Sequence, residues 1–374
     1  MLKSLKIENF RGFESFELNQ LGRVNLLVGE NNSGKTSVLE AVQFLASRTN
    51  LDSLSQIMTE RGETFRSEER KSLVVGRDRE LDVKHLFYGH ELLFEKYFRI
   101  ASVNDSFEED EVSVAISASE YKQVDLFDSP DDFNVDFELV LTWIVDGDVA
   151  KLISPISSDG GISSDYLRRN HPRSLKSSST KIQSLKTQFV TSASVPISMM
   201  TELFNQVVLK PEEQNIIQAL QNVDPMIERI ASLGDRYTSA QRRGGFVIKR
   251  RNDVNPIPIG SMGDGIWRIL GLALAAVGSK GGILLVDEID TGLHFTAMLS
   301  MWKMIWRTAK DLNVQVFATT HSRDCWESLA EIAENENVQD DEIMIHRIER
   351  GKPSSVIFNP KQMIIASERG IEVR

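Results

Sequence analysis

Positive charge, cysteine and long apolar runs are what this chain has little of. Its 374 residues carry 43 Lys and Arg against 54 Asp and Glu, a formal net charge of −11. That balance excludes a surface that is basic throughout, so contact with nucleic acid would need a local patch or a partner subunit. Positive charge is concentrated only in QRRGGFVIKRR (Gln241 to Arg251) and between Arg168 and Lys186, where solvated loops are the plainer reading. The one cysteine, Cys325, excludes an internal disulfide and suits a reducing cytoplasm. No apolar run reaches the roughly 20 residues that cross a bilayer. The opening MLKSLKIENF lacks the apolar core of a signal peptide, so a cytoplasmic protein is the expectation. Heptads and internal repeats are also missing, which argues against a long coiled-coil arm.

What remains is ordinary globular composition, 41% hydrophobic and 26% charged, on a chain long enough for two domains or one domain with an insertion. Residues 1 to 28 alternate apolar and polar positions in three short runs that predict strands. A helical stripe follows from Thr36 to about Ala46 (Val38, Leu39, Val42, Leu45). Residues 49 to 80 are charged and irregular. Two β-like runs come next, EVSVAIS from Glu111 and FELVLTWIV from Phe137, set among acidic loops. Ser154 to Ser179 is Ser-rich with glycine and predicts a loop. Ile197 to Leu233 has helical spacing broken by Pro211 and Pro225, hence several short helices.

Beyond Arg250 helix and strand patterns alternate: GIWRILGLALAAV from Gly265, GILLVDE from Gly282, a helix from Leu293 to Ala309, and VQVFATT from Val314. Such alternation predicts a mainly parallel sheet covered by helices. The fold expected is α/β. One domain is built from residues 1–50 and 240–374, with antiparallel N-terminal strands, and an insertion over 51–239 interrupts it. The insertion is read as β-rich at about 80–153, loop at about 154–180 and short helices at about 197–233.

LLVGENNSGKTSVLEA, Leu26 to Ala41, fits G-x4-G-K-[ST] between a predicted strand and a predicted helix. Gly29 and Gly34 let backbone N–H groups turn inward, and with the helix N-terminus they form an anion cradle. Lys35 would reach the β- and γ-phosphates, and the Thr36 hydroxyl would face Mg²⁺. ILLVDE supplies a buried strand ending in two carboxylates, at the edge where ligands of parallel sheets sit. Asp287 is placed there to hold the metal and Glu288 to polarise an attacking water. His321 and Ser322 follow the next strand, where a histidine can sense the γ-phosphate. In IGSMGDGIWRILGLALAAV, Ser261, Gly263 and Gly265 open an apolar helix and make a second anion-binding surface. Redundant within one molecule, it makes sense if it closes over the nucleotide of another.

The order IENFRGF, GENNSGKTS, SMGDG, LLVDEID, TGLH and TTHS resembles the ABC-type ATPases of the RecF/SMC group. Within that group it is similar to OLD-like (overcoming lysogenization defect) heads and their stand-alone relatives in anti-phage systems. The resemblance covers roughly 1 to 50 and 240 to 374. It implies ATP bound by Gly29, Asn31, Asn32, Ser33, Gly34, Lys35, Thr36 and Ser37, and Mg²⁺ held with help from Asp287. It implies Glu288 as catalytic base, Ser261 to Gly265 as a signature acting in trans, Asp290 to His294 as the D-loop and His321 as the switch histidine. Arg11 stands where the group often has a basic residue near the nucleotide. The signature departs from LSGGQ, and no Q-loop glutamine is assigned, KHLFYGH near Lys84 being the segment to inspect. A TOPRIM nuclease domain has no counterpart in the chain.

The function expected is an Mg-ATP-dependent ATPase whose homodimer or higher homo-oligomer, closed through the nucleotide sites, regulates a separate effector such as a TOPRIM-type nuclease in phage defence. A RecF-like protein binding DNA directly and an ATP-locked scaffold with little turnover are the alternatives. A transporter's ATP-binding subunit fits less well, because such subunits lack a long split insertion.

Overall fold

A computed structural model describes residues 1–66, 79–118, 137–157, 159–169, 173–174, 182–193, 195–233 and 245–374. The chain divides into two compact units. The first comprises Met1–Asn19, Glu40–Leu185 and Gly351–Ser354, and the second Gln20–Leu39, Lys186–Arg350 and Ser355–Arg374.

The first unit contains an antiparallel sheet of seven strands. β1 (Leu2–Phe10) pairs with β2 (Phe13–Leu18) on one side and β6 (Tyr97–Asn104) on the other. The sheet continues through β7 (Glu109–Ala118), β8 (Phe137–Val145) and β9 (Asp148–Pro155) to β11 (Arg173–Ser174). Along β8 the side chains of Leu139, Leu141, Trp143 and Val145 are buried, so the period of two lays every second residue on the core face. A smaller sheet joins β10 (Gly161–Ser163), β5 (Arg79–Asp82) and β4 (Thr64–Arg66), with helices α2 (Asp52–Glu60) and α3 (Ser164–Arg169) beside it.

The second unit is built on a six-stranded sheet in the order β12 (Thr187–Val190), β16 (Ile283–Val286), β17 (Gln315–Thr319), β3 (Val24–Val28), β18 (Ile343–Arg347), β19 (Val356–Phe358). All neighbours are parallel except the β18–β19 pair. Every residue of β3, β16 and β17 is buried, the continuous burial expected of strands covered on both faces. On one face Leu26, Val28, Leu284, Val286, Val316 and Ala318 share a core with the helices, where α6 (Asp264–Gly278) lies against α4 (Ile197–Val207), α5 (Pro211–Gln221) and α7 (Phe295–Asp311). Beyond them α8 (Arg323–Asn335) joins α7 to α9 (Pro360–Glu368). β13 (Ile227–Ser232), β14 (Phe246–Arg250) and β15 (Ile257–Pro258) form a separate antiparallel sheet. The division between units falls inside helix α1 (Lys35–Ser47), between Leu39 and Glu40.

Several sequence readings need correction. The division differs from one drawn at residues 50 and 240. β1 and β2 join the seven-stranded sheet of the intervening segment, and residues from Lys186 onward join the parallel sheet through β12. The stretch read as irregular holds α2, β4 and β5, and the stretch read as a loop holds β10, α3 and β11. Ile227–Ser232 is a strand, not the last short helix. A bulge between Ile227 and Arg229 puts Ile227 and Ile230 on the same face, so a strand takes on helical spacing. Of the two basic stretches, Gln241 to Gly244 and most of the segment from Arg168 lie outside the described residues. Arg250 pairs with Asp224 at 3.2 Å. No helix among the described residues is long and apolar enough to cross a membrane.

Candidate functional site

Three neighbouring strands of the parallel sheet bring the predicted residues together at their carboxyl edge. β3 runs into the phosphate-type turn, β16 into Asp287 and Glu288, and β17, which lies between them, into Thr320 and His321. The turn after β3 is tight. Gly29 has φ +141°, and a Cβ there would stand 2.3 Å from the Ile348 carbonyl oxygen, closer than any side chain permits. Asn32 and Gly34 also have positive φ, at 60° and 102°. Asn31 and Asn32 are exposed, Ser33 is buried with no hydrogen-bond partner for its hydroxyl, and Ser37 is half-buried on the first turn of α1.

Lys35 is buried, and its Nζ donates to the Gly29 and Glu30 carbonyls at 2.9 and 2.7 Å. Burial pushes its pKa down to about 8, opposed by the charges of Asp287 and Glu288. Thr36 Oγ1 lies 3.3 and 3.2 Å from the two Asp287 carboxylate oxygens, and Thr319 Oγ1 donates to Asp287 Oδ1 at 2.6 Å. The Glu288 backbone N–H donates to the same Thr319 hydroxyl at 2.8 Å, and Thr291 Oγ1 donates to Glu288 Oε2 at 3.1 Å. Glu288 has φ 48°, in the left-handed region. Asp290 accepts from Thr320 Oγ1 at 2.6 Å. His321 is half-buried, and its pKa is lowered first by burial and then by the charge of Lys35, with Glu288, Asp290 and Asp287 pulling the other way. Lys35, Asp287, Glu288, Asp290 and His321 therefore share one electrostatic neighbourhood.

The signature residues lie elsewhere on the same unit. Ser261 is exposed in a 3-10 turn, Ile259–Met262, and Gly263, exposed with φ 91°, precedes α6. A Cβ on Gly265 would lie 4.0 Å from the Gly292 carbonyl oxygen and from the Leu293 side chain. The first turn of α6 thus abuts the Asp290–His294 turn, where Thr291, Gly292 and His294 are exposed. Arg11 belongs to the first unit, and its guanidinium is engaged there. Nε is 2.6 Å from Glu40 Oε2, NH1 and NH2 donate to Glu63 at 2.7 and 3.2 Å, and Arg61 also pairs with Glu40. The expectation of Arg11 as a nucleotide ligand therefore meets a guanidinium already paired with carboxylates. Lys84 and His85 of KHLFYGH lie in a 3-10 turn, Val83–Leu86, and pair with Asp82 at 2.7 and 3.3 Å.

Sequence reasoning missed Arg268. It is buried in α6, and its NH1 donates to the Thr191 carbonyl at 2.9 Å, while NH2 donates to the Glu288 and Asp287 carbonyls at 3.0 and 3.3 Å. Burial pushes its pKa down to about 10, against the pull of Asp290, Glu288 and Asp287. The available signal was a lone charge inside an otherwise apolar helix.

The donor set fits Mg-ATP. A lysine held on loop carbonyls, a turn too tight for a Cβ, and an unpartnered buried hydroxyl suit phosphate. Thr36 and Asp287 offer hard oxygens to Mg²⁺, which takes one or two carboxylates and completes its shell with phosphate and water. Among the described residues no group of three or more His, Cys, Asp or Glu side chains is arranged to hold a metal alone.

Similarity to known proteins extends over most of the chain. The family model described as "AAA domain, putative AbiEii toxin, Type IV TA system" matches residues 24–324. An ATP/GTP phosphatase of Helicobacter pylori is 22% identical over 391 aligned residues, covering 97% of this chain and 99% of its own. The DNA replication and repair protein RecF of Clostridioides difficile is 46% identical over 55 residues, covering 14% of this chain and 15% of its own. Among solved structures, an Smc head bound to the C-winged helix domain of ScpA aligns over 96% of this chain and 98% of its own, at 12% identity and a TM-score of 0.48. The chain belongs to the family described as "AAA domain, putative AbiEii toxin, Type IV TA system", and one segment of it resembles RecF.

Proposed function

We propose that this chain hydrolyses Mg-ATP between two copies of itself and uses the closing and opening of that dimer to control a separate effector. In this reading the backbone of Gly29 to Ser37 cradles the phosphates. Lys35 leaves its loop carbonyls for the β- and γ-phosphates, a stronger, charge-assisted partner. Thr36 and Asp287 hold Mg²⁺, which when bound neutralises phosphate charge. Glu288 accepts a proton from the attacking water. His321, kept neutral by its surroundings, orients that water or the γ-phosphate. Ser261, Gly263 and Gly265 of the second copy cap the same nucleotide, and Asp290 and its turn line the dimer contact.

The observation that carries the reading is a divided constellation. Lys35, Thr36, Asp287, Glu288 and His321 gather at one sheet edge. The glycine-rich start of α6 and the turn after Asp290 stand exposed side by side, as surfaces meant for a partner would. The phosphatase named in Helicobacter pylori supports nucleotide hydrolysis, and the toxin named in the family description supports a defence setting. The acidic balance of the chain favours an effector that meets nucleic acid on its behalf, a nuclease of TOPRIM or other type among them. An adjacent nuclease gene would support that partner.

The test is phosphate release together with molar mass by light scattering, for wild type and Glu288→Gln. Wild type is expected to turn over Mg-ATP. The variant should lose about 100-fold or more in turnover and run as a dimer only with ATP. A strictly monomeric wild type with undiminished turnover would refute the reading.

A further inference from the structure

We infer that Arg268 is a positioning residue for hydrolysis, its guanidinium fork tying the ends of β12 and β16 together so that the peptide bearing Asp287 and Glu288 is held in working geometry. The inference rests on the hydrolytic reading above and adds to it a residue outside every motif. Twelve consecutive residues of α6, Ile266 to Val277, are buried, and Arg268 is the one charged residue among them. It has no carboxylate within ion-pair distance among the described residues. Its described hydrogen bonds go to backbone carbonyls, and its Nε is left unpartnered. Burying a cation this way costs stability, and an aliphatic side chain would pack the same helix at no such cost. What the guanidinium alone supplies is a rigid fork that reaches two strand ends at once.

The fork acts where the backbone needs holding. Glu288 is a non-glycine residue in the left-handed region, a conformation kept only where its surroundings over-determine it. On one side the Glu288 N–H is bonded to Thr319 Oγ1, which also holds Asp287 Oδ1. On the other, Arg268 NH2 takes the carbonyls of Asp287 and Glu288 while NH1 takes that of Thr191, the residue following β12. Loss of the fork frees the peptide to relax toward an ordinary φ, and the Glu288 carboxylate then swings from its place. Misplacement by about 1 Å is worth on the order of 100-fold in rate.

Wild type, Arg268→Lys, Glu288→Gln and the double variant are compared by melting temperature, affinity for a fluorescent ATP analogue and Mg-ATP turnover. Lysine keeps the charge but cannot reach both strand ends. Arg268→Lys is expected to keep affinity within about threefold and to lower turnover at least about tenfold. On the Glu288→Gln background the same change should alter residual turnover less than about twofold, because the positioned carboxylate is already gone. Arg268→Lys turnover within twofold of wild type overturns the inference. So does an equal loss on both backgrounds, or affinity falling in step with turnover as a merely structural role would give. If Arg268→Lys does not fold, Arg268→Gln, which keeps one amide donor, carries the same cycle. Wild type that does not turn over Mg-ATP removes the hydrolytic reading and this inference with it. An active Arg268→Lys beside active wild type removes the inference alone.

Discussion

The Lys35 ammonium is the form that attracts phosphate, yet burial in its own loop has pushed its pKa down to about 8. The free protein therefore starts to lose that charge as pH rises through 8, and ATP must restore the proton in order to bind. Affinity for Mg-ATP is expected to weaken above pH 8 by up to about tenfold per pH unit, measured by fluorescence titration from pH 7 to 9.5. Lys35→Ala should bind at least about tenfold more weakly at neutral pH and show no such slope. His346 makes an opposite case in the core. It is fully buried on β18, Nδ1 lies 3.2 Å from Ser355 Oγ, and Nε2 has no partner. Burial lowers its pKa to about 4, so the folded state resists a proton that the unfolded chain accepts near 6.5. Its stabilising contribution is complete above 6.5 and is lost as pH falls toward 4, by about 3 kcal/mol in all. Melting temperature followed from pH 7.5 to 4.5 should fall less steeply in His346→Gln than in wild type.

Among the elements, the β3–α1 turn is the least tolerant of change. Alanine at Gly29 would meet the Ile348 carbonyl oxygen and would have to adopt φ +141°. Gly29→Ala, which adds a clash to the strain, is expected to abolish ATP binding and to cost more in urea unfolding than Gly263→Ala, which has nothing within 4 Å and should lose only the strain of its φ of 91°, on the order of 1 to 3 kcal/mol. The strands and helices around the site were legible because their signals are local. β16 is an unbroken apolar run, β3 and β17 are short and mostly apolar, and α1 and α6 carry helical stripes behind glycine-bearing turns. Legibility failed where pairing alters the pattern. The bulge in β13 gave a strand helical spacing, and α2, β4 and β10 are short and carry too few apolar residues to show a period. Arg268 was overlooked for a related reason: its partners are backbone carbonyls, which no sequence motif records.

For the whole molecule, closure on ATP predicts that stability and assembly are linked. The melting temperature of Glu288→Gln should rise with added Mg-ATP and also with protein concentration, since the liganded dimer is what resists unfolding. Scanning calorimetry over a tenfold concentration range reads this directly, and a melting temperature that rises with ATP but ignores protein concentration would mean binding by single copies. Read from residues alone, the chain already declared its chemistry: a phosphate turn, a carboxylate pair at a strand end and a histidine after the next strand are each set by a few consecutive side chains and the element they interrupt. Which of these meet was left to the tertiary structure. Thr36 reaches Asp287 across 251 positions of sequence only because β17 lies between β3 and β16 and lends Thr319 to both carboxylate and backbone. The partition of the chain, with β1 and β2 in one unit and β12 in the other, was equally beyond reach. The reason is physical: an apolar run dictates that a strand be buried, but buried strands look alike, and the choice of neighbour is made by packing between segments hundreds of residues apart.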